Sequence, residues 1–168
     1  MPVLAELRMS GGARFVELAH RLGTGRETLR RTLDALLEAE LVRRNPGHGH
    51  PLRPEYVLSG PGHELAPACE AVVDVLRDTG LEHVGLRKWS IPIVLALGEE
   101  RRFGELRRGL GATPRALSLA LRDLERTAVV ERRVEPGYPP STLYRLTATG
   151  RQVRAAAGLL GGAAAPTD

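Results

Sequence analysis

Apolar residues along this chain fall in short runs whose spacing changes from helical to strand-like and back. The pattern is clearest in the second half. Ile91, Val94, Leu95 and Leu97 supply an apolar helix that ends at Gly98, with Ser90 as its predicted N-cap and Pro92 in its first turn. Phe103, Leu106 and Leu110 mark a second, short helix that stops at Gly111. Thr113-Pro114 then restarts a helix, with Thr as cap and Pro in first place, and Leu117, Leu121 and Leu124 give it one buried face. The residues Val129 to Val134 predict a strand, Pro136 to Pro140 a turn, and Leu143 to Thr147 a returning strand. Two helices joined by a tight glycine turn and followed by a hairpin form a helix-turn-helix with a wing.

The first half repeats this pattern. Arg14-Phe15-x-Glu17-Leu18 reappears as Arg102-Phe103-x-Glu105-Leu106, an offset of 103 − 15 = 88 residues. The same offset links Leu22-Gly23 to Leu110-Gly111, and Leu29, Leu33 and Leu36 to Leu117, Leu121 and Leu124. It also links Arg44 to Arg132, Tyr56 to Tyr144, Leu58 to Leu146 and Gly62 to Gly150 without a gap. One register held through apolar, glycine and aromatic positions is a duplication. The first copy therefore predicts helices over Val3–Met9, Phe15–Leu22 and Arg26–Glu40, and a wing from Leu41 to Leu58 that turns across Pro46–Pro51. The expected fold class is mainly α with small β (α+β): two tandem winged helix-turn-helix domains of the three-helical-bundle type. Residues 1–62 form the first unit, 63–85 a connecting or dimerisation-type helix, 86–150 the second unit, and 151–168 a C-terminal helix with a frayed tail. Leu65, Cys69, Val72, Val73 and Leu76 lie on one face of the connector, an apolar stripe that something must cover. With Trp89, expected to pack rather than stack on a ligand, they are the candidate interface residues.

Composition adds to this. Hydrophobic residues make up 42% of the 168 residues, which suits a folded chain. No apolar run reaches the ~18 residues that a membrane span needs. The N-terminus is charged where a signal peptide is apolar, so the expected location is cytoplasmic and nucleoid-associated. The single cysteine, Cys69, excludes an intrachain disulfide. Net charge is +4, unevenly spread. Residues 14–62 carry eight Arg against six acids, 63–100 three basic against seven acidic residues, and 101–154 twelve Arg against five acids. Two basic blocks around an acidic connector fit a polyanionic partner.

The first turns of a recognition helix face the major groove. With the leucines inward, the candidate DNA-reading residues are Arg26, Thr28, Arg30 and Arg31 in the first unit and Thr113, Arg115, Ser118 and Arg122 in the second. Arg115 is the leading candidate for a guanine edge, which its planar fork matches. Arg43, Arg44, Arg53, Arg132, Arg133 and Arg145 lie on predicted wing strands and suit phosphates, which position rather than specify. His48, His50 and His63 form no metal set with a cysteine or carboxylate cluster, and neither metal nor cofactor is expected. No catalytic constellation or phosphate loop is present, so the chain does not read as an enzyme.

Lys88-Trp89-Ser90, Ile93-Val94-Leu95-x-Leu97, Arg102-Phe103-x-Glu105-Leu106, the leucines 117, 121 and 124 with Glu125, Pro139-Pro140 before Tyr144, and Leu146-Thr147-x-x-Gly150 together resemble the HxlR-type family of bacterial winged-helix regulators. The resemblance covers residues 86–153 well and 1–76 more loosely. It implies double-stranded DNA as partner and transcription regulation as function. Members of the family resemble homodimers with two reading helices. Both halves stand in one chain here, which implies an intrachain pseudo-dimer on a two-half-site operator, with self-association still open. Oxidant sensing in the family goes with a cysteine near the N-terminus, and this sequence has none there. The alternative is a tandem winged-helix protein-interaction scaffold of the chromosome-organising type; its outward faces should be apolar, and Leu119 is the one clear apolar residue there.

Overall fold

The computed structural model describes residues 1–45, 54–98, 100–136 and 141–163. The predicted wing turns over 46–51 and 137–140, with His48, His50 and Arg53, lie outside the described residues. The chain divides into two compact units: residues 1–73 with the described chain end from Leu160, and residues 74–159.

The elements of the first unit are α1 (Pro2–Ser10), β1 (Ala13–Arg14), α2 (Phe15–Arg21), α3 (Arg26–Glu38), β2 (Val42–Asn45) and β3 (Glu55–Leu58). Helix α4 (Gly60–Asp78) follows, and the division between units falls inside it. The second unit has α5 (Glu82–Gly85), α6 (Ser90–Ala96), β4 (Arg101–Arg102), α7 (Phe103–Leu110), α8 (Pro114–Arg126), β5 (Val130–Glu135) and β6 (Ser141–Leu146). Helix α9 (Ala148–Ala163) ends the described chain. Each unit is thus a helix-turn-helix, α2–α3 or α7–α8, followed by a hairpin.

The Arg-Phe-x-Glu-Leu repeat has a local cause. The backbone N–H of Arg14 donates to the Glu17 carboxylate at 2.9 Å, and that of Arg102 to Glu105 at 3.0 Å. A carboxylate three residues into a helix satisfies a donor that the helix leaves orphaned and suits the positive end of its dipole. Leu18 and Leu106, one residue on, are buried. Gly23 (φ +56°) and Gly111 (φ +61°) then turn the chain in the left-handed region, where a side chain would be strained.

The exit from the second helix of each helix-turn-helix, α3 or α8, is also shared. Glu40 (φ +55°) and Ala128 (φ +53°) hold left-handed backbone, and the N–H groups of Leu41 and Val129 donate back to the carbonyls of Leu36 and Leu124 at 2.9 Å. This is a Schellman stop built without glycine. Opposite it, the Ser59 hydroxyl donates to the Glu40 carbonyl and accepts from the Gly62 N–H. Thr147 does the same between Ala128 and Gly150. A Cβ on Gly62 would stand 1.9 Å from the Leu41 carbonyl oxygen, and one on Gly150 2.2 Å from that of Val129. Close backbone approach therefore requires glycine at both places.

Each core is built on the predicted leucines. Leu29 and Leu33 pack with Val3, Leu4, Leu7, Leu18, Val42 and Leu58 in the first unit. Leu117, Leu121 and Leu124 are buried in the second. Each fully buried leucine contributes about 1.5–3 kcal/mol relative to exposure.

Three features differ from the expectation. Each sheet has three strands, ordered β1-β3-β2 and β4-β6-β5, because Ala13 pairs with Tyr56 and Arg101 with Tyr144. Helix α5 was not foreseen. Ser90 is not a cap: it is the first residue of α6, after Trp89, and its buried hydroxyl donates to the Val84 carbonyl at 2.6 Å. That bond ties α6 to α5, a tertiary use of a residue type favoured at helix starts.

Candidate nucleic-acid interface

In the first unit the buried Leu29 and Leu33 turn the opposite face of α3 to solvent, with Arg26, Thr28, Arg30 and Arg31 exposed on it. Arg26, Arg30 and Asp34 line an open cleft with Phe15, Arg44 of β2 and Tyr56 of β3. The Arg44 guanidinium lies 5.9 Å from the centre of the Tyr56 ring, which orients it along the cleft. Three arginines against one aspartate leave this cleft positive. Arg31 has a different role, since its Nε is 3.1 Å from the Glu27 carboxylate one turn earlier. Arg43 is exposed and pairs in register with Val57, which offers no charge.

In the second unit the Thr113 side-chain oxygen accepts the Ala116 N–H at 3.3 Å, as the sequence predicts for a cap. That oxygen is thereby committed to the helix, and the hydroxyl hydrogen remains its free donor. Leu117, Leu121 and Leu124 face inward; Arg115, Ser118, Leu119 and Arg122 face out. Ser118, Leu121, Arg122 and Glu125 line a cleft with Arg132 of β5 and Tyr144 of β6. It occupies the place of the first unit's cleft, 88 residues on.

The arginines of the second wing are not equivalent. Arg132 has no carboxylate partner among the described residues. Arg145 makes two hydrogen bonds of 3.0 Å to Glu131, its cross-strand neighbour, and approaches Glu100 at 3.9 Å. Arg133 reaches Glu100 and Glu135, each at 3.2 Å. The hydrogen bonds from Arg145 hold the Glu131 carboxyl below its usual range, and Glu131 in turn raises Arg145. Of the three wing arginines in this unit, then, Arg132 alone presents a charge not already answered by a described carboxylate.

Sequence reasoning passed over Arg107 and Arg108, both exposed on α7, the helix that precedes the reading helix and in such folds crosses the DNA backbone. The signal was the dense arginine block from Arg101 to Arg108.

The candidate interface residues lie inside the chain's own packing. Cys69 belongs to the first unit's core, Val72 and Val73 are buried, and Leu76 packs around Leu81, Gly85 and Ile91 in the second. Leu65 and Trp89 are half-buried, and the Lys88 ammonium sits 5.3 Å from the Trp89 ring. Burial pushes the Cys69 thiol up from its ordinary value, which disfavours the reactive thiolate. His63 is exposed, and among the described residues no group of three metal-ligating side chains converges. No described helix is long and apolar enough to cross a membrane.

Helices, glycine turn, reading helix and hairpin make each unit a winged helix-turn-helix. The chain belongs to the HxlR-like helix-turn-helix family, whose pattern it matches twice, over residues 1–83 and 84–162. It is 41% identical over 69 residues to an HTH-type transcriptional regulator of Synechocystis, which is 40% of this chain and 51% of that protein. It is 40% identical over 63 residues to an HTH-type transcriptional regulator of Halalkalibacterium halodurans, 36% of this chain and 56% of that one. The chain thus spans about half the length of these curated relatives. Among solved structures it is similar to the redox regulator HypR in its oxidized form (31% identity, 51% of this chain, 90% of that one, TM-score 0.46). It is also similar to the reduced form of the transcriptional regulator YodB from B. subtilis (25% identity, 49% and 86%, TM-score 0.45).

Proposed function

We propose that this chain is a sequence-specific double-stranded DNA-binding regulator of transcription, acting in the cytoplasm by occupying an operator rather than by catalysis. The observation that supports it most is the arginine-lined cleft repeated in each unit between the reading helix and the first wing strand: Arg26, Arg30 and Arg44 in one, Arg122 and Arg132 in the other. Exposed guanidinium groups beside the first turns of a reading helix match phosphates and guanine edges. Arg43 and Arg44 in the first unit, with Arg107, Arg108 and Arg132 in the second, take the phosphates. Arg26, Arg30, Arg115 and Arg122 approach the bases.

One chain carries two unlike readers. The operator it selects therefore has two unlike half-sites, and a single chain acts as the pseudo-dimer. In vitro selection from random duplex DNA, followed by salt-titrated binding to the enriched sequence, tests this reading. Enrichment of a two-part motif, with affinity falling steeply as salt rises, is expected. A protein-interaction scaffold would enrich no motif and would bind weakly at physiological salt.

A further inference from the structure

The two reading helices share their buried leucines and differ on their outward faces, where one pair of positions a turn apart changes as a unit. In α3, Glu27 and Arg31 sit one turn apart and close on each other at 3.1 Å, so that this outward ridge is neutral and self-satisfied. The equivalent positions in α8 hold Arg115 and Leu119. Both members of the pair are exchanged, and the ion pair is gone. Arg115 is exposed and has no carboxylate partner among the described residues. Leu119 is 50% exposed on the same ridge, with Ser118 beside it and Arg122 one turn on.

Nothing in the packing of the unit asks for an apolar side chain here, because Leu117, Leu121 and Leu124 already form the buried face. The chemistry facing outward is a planar two-donor fork followed, one turn later, by a branched apolar group. A helix turn advances about 5.4 Å, and DNA about 3.4 Å per base along a strand. The two side chains therefore meet features one to two base pairs apart. In the major groove a guanine offers the O6/N7 acceptor pair, and thymine the C5-methyl, the one apolar group that groove displays.

We propose that Arg115 and Leu119 act together as a pair of specificity determinants in the second unit, reading a guanine and, within two base pairs of it, a thymine through its 5-methyl group. The proposal rests on the DNA-binding reading above. The first unit, with its ridge closed by Glu27 and Arg31, makes no such methyl contact, and this divides the operator into a methyl-sensitive and a methyl-insensitive half.

The test uses the full chain on its selected duplex, with each thymine replaced in turn by deoxyuridine, which keeps every hydrogen-bonding group and lacks only the methyl. In wild type, one deoxyuridine position beside a guanine should weaken binding about fourfold, the value of one buried methyl-sized group. Leu119→Ala should bind the thymine site more weakly by a similar factor and lose the deoxyuridine effect; Leu119→Met should retain it. Arg115→Ala should lose preference at the neighbouring guanine. Circular dichroism checks that the variants stay folded. If wild type selects a motif but no deoxyuridine position matters, or if Leu119→Ala keeps the effect, this assignment is overturned while DNA recognition stands. If no motif is enriched at all, the DNA-binding reading falls, and the assignment with it.

Discussion

The two units share their core leucines, the Glu17 and Glu105 capping box and the glycine turns, yet their polar surfaces have diverged. Across the wing of the first unit Arg43 faces Val57; at the same place in the second, Glu131 faces Arg145 and holds it by two hydrogen bonds. The described strands β2 and β3 carry two arginines against Glu55, and β5 and β6 three against Glu131 and Glu135. Each described pair of wing strands therefore has the same net charge of one. The excess that makes residues 101–154 the more basic block does not lie on its wing. Part of it stands on α7, as Arg107 and Arg108. Counting residues by sign located the basic half but not its free charges, because a guanidinium already bridged to carboxylates has little left for phosphate.

Leu29→Ala and Leu117→Ala remove equivalent side chains that are 1% and 0% exposed. Each should cost about 2–5 kcal/mol in urea or thermal unfolding. A cost below 1 kcal/mol in one unit would show that its core is not the counterpart of the other. Gly62→Ala and Gly150→Ala press a methyl against a carbonyl oxygen and should each cost at least about 1–3 kcal/mol; equal losses would establish that the helix-to-wing corner is one motif used twice.

At the reading surface, Arg115→Ala should reduce discrimination at one base by about 1–3 kcal/mol, measured by competition between duplexes. Glu27→Ala in the first unit should instead release Arg31 and raise affinity for all sequences together. A base-selective effect of Glu27→Ala would contradict the neutral ridge assigned to α3. Smaller still, Glu40→Gly and Ala128→Gly relieve left-handed strain of about 1–2 kcal/mol against about 0.5–1 kcal/mol of backbone entropy lost to glycine, so each should add about 0.5–1 kcal/mol in urea or thermal unfolding; a loss of stability in either would show that its turn is unstrained.

The finest test is the wing pair. Glu131→Gln should free Arg145 and steepen the dependence of log affinity on log salt by about one unit. The sign of its pH dependence follows from the depressed carboxyl. Stability from the pair is present above the ordinary value of 4.5 and is lost as pH falls through the lowered folded value, so this pair stays closed at neutral pH. A wild-type salt slope already equal to that of the variant would mean that Arg145 was never withheld from DNA.

Much of this architecture was legible in residue order. The 88-residue register, the leucine spacing of α3 and α8 and the Thr113-Pro114 start all depend on neighbours within a turn or two, and such local preferences act wherever the segment is placed. Strands β1 and β4 were missed because two residues are too short for alternation to show. Ser90 was misplaced because its partner, the Val84 carbonyl, belongs to a helix the pattern did not reveal.

The outward arginines of the reading helices were also legible, since a buried leucine face leaves only one other direction. What three dimensions alone decided was which charges cancel. Arg133 and Glu100 are 33 residues apart in sequence and 3.2 Å apart in space, and Coulomb attraction depends on the second separation, not the first.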